Sequence, residues 1–105
     1  MPAKTRREQL EELLAEDPND PFLRYGLAME HVSAGDDEEA VRTFRQLLAA
    51  TPDYVPAYMQ CGQALVRLDR IEDAREIYRT GIATAQKRGD QHAWQEMQGF
   101  LEGIE

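Results

Sequence analysis

From Leu27 to Pro52 the chain reads LAMEHVSAGDDEEAVRTFRQLLAATP, and from Cys61 to Gln86 it reads CGQALVRLDRIEDAREIYRTGIATAQ. The two stretches superpose at an offset of 34 residues, the step from Ala40 to Ala74. Phe44 then falls on Tyr78, Arg45 on Arg79, Leu48 on Ile82 and Ala49 on Ala83, while Ala28 falls on another small residue, Gly62. Further upstream, Pro18 falls on Pro52 at the same step. A fixed period of this size marks stacked helical units, none of which can bury its apolar face alone. It points towards a binding surface and away from a reaction pocket.

Around this repeat, helical periodicity dominates, and no alternating strand pattern of useful length interrupts it. Breaks fall at Asp17-Pro18-Asn19-Asp20-Pro21, Gly35-Asp36-Asp37, Thr51-Pro52-Asp53, Asp69-Arg70 and Gly89-Asp90. Proline is tolerated in a first helical turn and glycine suits a helix C-terminus, so each break reads as helix punctuation. The spacing predicts six helices, near 4–16, 20–34, 37–50, 54–68, 71–87 and 90–103. The first offers Leu10, Leu13 and Leu14 as its apolar face. The last shows Ala93, Trp94, Met97, Phe100, Leu101 and Ile104 at three- and four-residue steps. Acids crowd the first turns of the third and fifth helices (Asp37, Glu38, Glu39; Glu72, Asp73), where the helix dipole favours them.

Composition narrows the function. The 105 residues suit one domain with a modest core. With 20 acids against 12 bases the formal net charge is −8, which disfavours nonspecific binding to nucleic acid or to an anionic membrane surface. The acidity reads first as a solvated surface and second as complementarity to a basic partner. Cys61 is the only cysteine. It therefore forms no intramolecular disulfide and no thiolate cluster, and its place on an apolar stripe marks a small core residue. The N-terminus lacks the apolar run of a signal peptide, and Leu47 to Ala50 is far too short to span a bilayer. The expected setting is cytoplasmic and bacterial in style.

Leu27-Ala28, His31, Gly35, Ala40, Phe44 and Pro52 are spaced like the tetratricopeptide-repeat signature. Cys61-Gly62, Leu65, Ala74 and Tyr78 follow one period later. The chain thus resembles that family over two full repeats, about 19–86. The resemblance implies an all-α fold, a short right-handed solenoid of about six antiparallel helices. It divides residues 1–105 into an N-terminal half-repeat (1–18), two repeats (19–52 and 53–88) and a C-terminal capping helix (89–105). The half-units would close a short, finished stack. The first helix matches the second helix of a unit, since Leu10, Leu14 and Pro18 fall on Phe44, Leu48 and Pro52. The sixth helix matches the start of a third unit at a 36-residue step, Tyr58 to Trp94 and Leu65 to Leu101. Two departures are expected to weaken individual contacts: His31 where a large aromatic is usual, and Gly81 where alanine is usual.

In such stacks the first helix of each hairpin lines a concave groove. The resemblance places Phe22, Tyr25, Met29 and Val32 there from the second helix, and Met59, Gln63, Val66 and Arg67 from the fourth. His92, Gln95 and Gly99 follow from the sixth. Methionines and aromatics make an adaptable surface for a peptide or an amphipathic helix. Two other readings stay open: these residues are core, or a second copy of the chain fills the groove as a homodimer. Groove-binding relatives that hold a C-terminal carboxylate do so with lysine, arginine and asparagine. Only Arg67 is basic here, so chaperone-type acidic tails are not the expected ligand.

No catalytic set, cofactor site or metal site is expected. His31 has only Leu27, Ala28 and Gly35 as helical neighbours and reads as a hydrogen-bonded structural histidine. His92 reads as a surface residue, and two isolated histidines do not make a zinc site. Asp36-Asp37-Glu38-Glu39 lacks the spacing of a calcium loop and reads as helix capping. The alternation of Arg67, Arg70, Arg75 and Arg79 with Asp69, Glu72, Asp73 and Glu76 predicts ion pairs within the helix. The expected function is non-enzymatic binding of a protein or peptide partner.

Overall fold

A computed structural model describes residues 3–105. Six helices follow in the order α1 (Arg6–Glu16), α2 (Pro21–Ser33), α3 (Asp37–Ala50), α4 (Val55–Arg67), α5 (Ile71–Lys87) and α6 (Gln91–Glu102). No strand occurs among the described residues. The fold is an all-α helical repeat, and its helices end where the sequence punctuation falls. Each helix packs on its neighbours in the chain, and α4 also touches α6. Contacts between successive helices and few others give an elongated body of 49 × 28 × 20 Å.

The ends of the helices explain their lengths. Thr5 and Glu8 form a reciprocal capping box at the start of α1. Asp20 accepts the Phe22 and Leu23 N–H groups to cap α2, with Pro21 in the first turn. Asp36 caps α3 through the Glu39 N–H, and Asp90 caps α6 through the Ala93 N–H. The acidic run before α3 is therefore helix punctuation, as its composition predicts. Helices α4 and α5 have no side-chain cap. Three turns close with a residue in the left-handed region: Gly35 at φ 76°, Asp69 at φ 60° and Gly89 at φ 72°. In each, the following N–H reaches back to a carbonyl five residues earlier, for example Asp36 to His31 and Arg70 to Leu65, both at 2.9 Å.

The core runs along the stack. Phe44, Leu47, Leu65, Tyr78, Met97 and Cys61 are the largest fully buried side chains, and Ala28, Ala40, Ala57, Ala64 and Ala74 let the helices approach. Gly62 admits the Tyr78 ring: a Cβ there would lie 2.3 Å from Tyr78 Cε1. Gly81 corrects an expectation. A Cβ at this position would meet Tyr58 Cβ at 2.6 Å and Met97 Sδ at 2.7 Å. The glycine is a point of close approach between α5, α4 and α6, not a weakened contact.

The basic residues of α4 and α5 supply a second correction. Arg67 pairs with Asp37 and Arg70 with Glu38, both on α3, instead of with acids on their own helix. Arg79 pairs with Glu105, and only Arg75 keeps an intrahelical partner, Glu72. The pairs tie consecutive hairpins together because the repeat brings the end of α4 beside the start of α3. His31 is 4% exposed, so it packs as a structural residue. Its ring makes no hydrogen bond to another described residue, and no buried side-chain nitrogen or oxygen is left without a partner. Its polar edge therefore meets solvent, which corrects the expected hydrogen bond.

Candidate binding surface

Helices α2 and α4 carry the groove residues that the repeat register singles out, and their environments differ along the surface. Phe22, one residue inside the N-terminus of α2, is 69% exposed and is the most exposed large apolar side chain described. Tyr25, Met29 and Val32 follow it at helical spacing and are half-buried against the core. The Tyr25 ring lies 6.0 Å from Phe44 and 5.5 Å from Tyr54, tilted to both. Tyr25 is thus both surface and core, and a charge placed there would disturb packing as well as binding. Burial raises the Tyr25 and Tyr54 phenols above the ordinary tyrosine value, and after burial the nearby Asp20 carboxylate raises Tyr54 further.

Between α1 and α2 the surface deepens into a cleft of about 350 Å³. Leu10 comes from α1, and Phe22, Tyr25 and Met29 from α2. The Arg6–Glu30 ion pair, 3.1 Å apart, stands beside them. Sequence reading reached the α2 wall of this cleft but not the α1 wall. Leu10 falls on Phe44 in the repeat register, and that equivalence is the signal that could have placed it against α2.

On α4, Met59, Gln63 and Val66 are half-buried, and Met59 and Val66 pack on the core. Arg67 is the single cation of the groove set, and it is already committed. Its guanidinium donates twice to Asp37, from Nε at 3.0 Å and from a terminal nitrogen at 2.9 Å. That two-point bond is the leading cause of an arginine pKa held above its ordinary value. The Asp37 partner, 30 residues away, is visible only once the stack is formed. On α6, His92, Gln95 and Gly99 are exposed, and His92 lies 3.2 Å from Glu96. Burial raises the Cys61 thiol to about 11, so it is no nucleophile at neutral pH.

No described group of three or more His, Cys, Asp or Glu side chains is arranged to hold a metal ion, and no described helix is long and apolar enough to cross a membrane. The arrangement can offer an apolar, preformed surface with one open aromatic, flanked by ion pairs that are internally satisfied.

Known proteins resemble this chain in sequence and fold. The family model described as tetratricopeptide repeat matches residues 7–58 and again 31–98. A TPR repeat-containing protein of Pseudomonas aeruginosa is 32% identical over 98 residues, covering 93% of this chain and 93% of its own. The solution structure of a tetratricopeptide repeat domain protein from Salinibacter ruber is 39% identical, with a TM-score of 0.79 over 84% of this chain and 89% of that one. A Bordetella parapertussis protein, also solved in solution, is 29% identical, with a TM-score of 0.84 over 97% of this chain and 89% of its own.

Proposed function

The chain belongs to the tetratricopeptide-repeat family, and from that premise we propose that it is a non-enzymatic protein–protein interaction module that binds a peptide or helix on its concave face. The proposal takes residues 1–105 as one domain: a half-repeat (1–18), repeats 19–52 and 53–88, and a closing helix (89–105). Binding is differential affinity for a preformed surface, with no bond made or broken. The observation that carries the reading is Phe22, 69% exposed beside an apolar cleft. A large aromatic left open to water costs solubility, and its burial by a partner recovers that loss. Tyr25, Met29, Val32, Met59, Gln63 and Val66 extend the surface from it, and Arg67 with Asp37 fixes its far side. The single unpaired thiol fits a reducing, cytoplasmic setting.

The test is partner capture by the full chain, by Phe22→Glu and by Phe100→Glu. Partners lost with Phe22→Glu and kept with Phe100→Glu, at unchanged helicity, support the concave face. Partners that ignore the Phe22 change sink it. Sedimentation across concentration separates the alternative, a homodimer in which a second copy covers Phe22: a dimer that dissociates on Phe22→Glu favours self-filling.

A further inference from the structure

We propose that copies of this chain associate head to tail: α1 of a second copy packs on α6, and the two form a hairpin of the same kind as α4 and α5. The contact lies away from the concave face and stands independently of it. The repeat register names the occupant. Helix α6 repeats the first helix of a pair, with Tyr58 falling on Trp94, Gly62 on Gln98 and Leu65 on Leu101. Helix α1 repeats the second, with Phe44 falling on Leu10 and Leu47 on Leu13.

Exposure shows which faces lack a neighbour. Leu47 is 1% exposed, whereas Leu13, the same residue type at the equivalent position, is 48% exposed. One period after Leu47, Gly81 lies against Tyr58 of α4 and Met97 of α6. That position therefore faces the first helix of its own pair, and no described helix covers it on α1. Helix α6 has the complementary gap. Gly62 is buried under the Tyr78 ring, while its equivalent Gln98 is exposed. Gln98 and Leu101 open, with Ile82 of α5, into a cleft of about 370 Å³. An apolar helix face of this kind is normally covered by the next helix of the stack.

The contacts between α4 and α5 set the match. Gly62 meets Tyr78, and Tyr58 meets Gly81. In the same register Gln98 meets Leu10 of the second copy, and Trp94 meets Leu13 of the second copy. The volumes trade as they must in a packed hairpin: Gln98 is larger than Gly62, and Leu10 is smaller than Tyr78. Four residues on, the antiparallel register sets Arg6 of the second copy level with Glu102, where α4 and α5 set Val66 and Ala74. Glu102 has no ion pair among those described, so it can receive that cation. The two faces differ, so the contact does not close on itself and copies add one after another.

Sedimentation equilibrium of the full chain across concentration tests this. The average mass is expected to rise with concentration without levelling at a dimer. Leu13→Glu and Gln98→Lys each change an exposed residue, and each should weaken the contact by about tenfold or more at unchanged helicity. Mixed together, the two variants should recover a 1:1 dimer and stop there, because one keeps the α6 face and the other the α1 face. Phe22→Glu should leave the growth unchanged, since its equivalent Pro56 stays exposed inside the stack. A chain that stays monomeric up to about 1 mM overturns the proposal. Association that survives either single variant, or that mixing fails to restore, also overturns it. So does a dimer lost with Phe22→Glu, which belongs to self-filling of the concave face.

Discussion

Where the first hairpin (α2 and α3) sets Ala28 with Phe44, the second (α4 and α5) sets Gly62 with Tyr78. Where the first has Arg24 and a fully buried Leu47, the second has Tyr58 and Gly81. The two hairpins therefore share a backbone plan but divide volume differently. In the second, the bulk sits on Tyr58 and Tyr78, joined by Met97 from α6, and the glycines give way to it. The turns differ in the same spirit. Gly35 takes the left-handed conformation without strain, while its equivalent Asp69 holds it with a side chain. Asp36 caps α3, while its equivalent Arg70 leaves α5 uncapped and pairs with Glu38 instead. A period of helical repeats fixes where elements meet. It does not fix which partner at a contact is the large one.

The largest expected effect comes from refusing the second hairpin its glycines. Gly62→Ala or Gly81→Ala should each cost about 1–3 kcal/mol by overpacking, whereas Ala28→Gly in the first hairpin should cost only about 1 kcal/mol. Urea denaturation midpoints measure all three. Pairing Gly62→Ala with Tyr78→Leu should recover part of the loss, because the clashing ring atoms are gone.

A high-pH titration separates the hairpins next. Burial raises Cys61 to about 11 and Tyr78 to about 12, and both lie in the second hairpin; in the first, Phe44 has nothing to ionise and Tyr25 is raised less. The folded state holds these protons more tightly than the unfolded chain does. Their stabilisation is therefore complete below the unfolded values and is lost as pH rises through the folded ones. Stability should fall by about 2 kcal/mol between pH ~9 and pH ~12, and Cys61→Ala with Tyr78→Phe should reduce that fall to the part carried by Tyr25 and Tyr54. An unchanged slope in the double variant would place the alkaline loss elsewhere.

The turn comparison predicts a smaller gain. Asp69→Gly should stabilise by about 0.5–1 kcal/mol by relieving the left-handed backbone, seen as a raised melting temperature. Smallest is the ion pair between the hairpins. A double-mutant cycle on Arg67 and Asp37 should give a coupling of about 0.5–1 kcal/mol, reduced by salt. A value near zero would mean that apolar packing alone joins the units.

The fold was legible because periodicity and punctuation are local. Pro21, Gly35, Pro52 and Gly89 mark boundaries that α2, α3, α4 and α6 respect. The surface was legible in part. The register picked out Phe22, Tyr25 and Met29 as a connected strip, and those three do line one cleft. It missed Leu10 and Arg6, which belong to a helix without a full repeat of its own. It missed Tyr54 against Tyr25, because that contact joins a turn to a helix 29 residues earlier (Tyr25 to Tyr54). It also paired Arg67 and Arg70 with acids on their own helices. Asp73 stands three residues after Arg70, whereas Arg67 has no acid three or four residues away, and only the stacked structure brings Asp37 and Glu38 beside the two arginines.

The lone thiol of Cys61, sealed in α4 at the middle of the stack, turns the chain into its own clock. A thiol reagent in excess can be consumed only during the intervals when the central helix opens, so the labelling rate counts those openings directly. Partner segments that clasp the open aromatic of α2 should lengthen the interval between counts, and a ligand can then be ranked without being labelled at all.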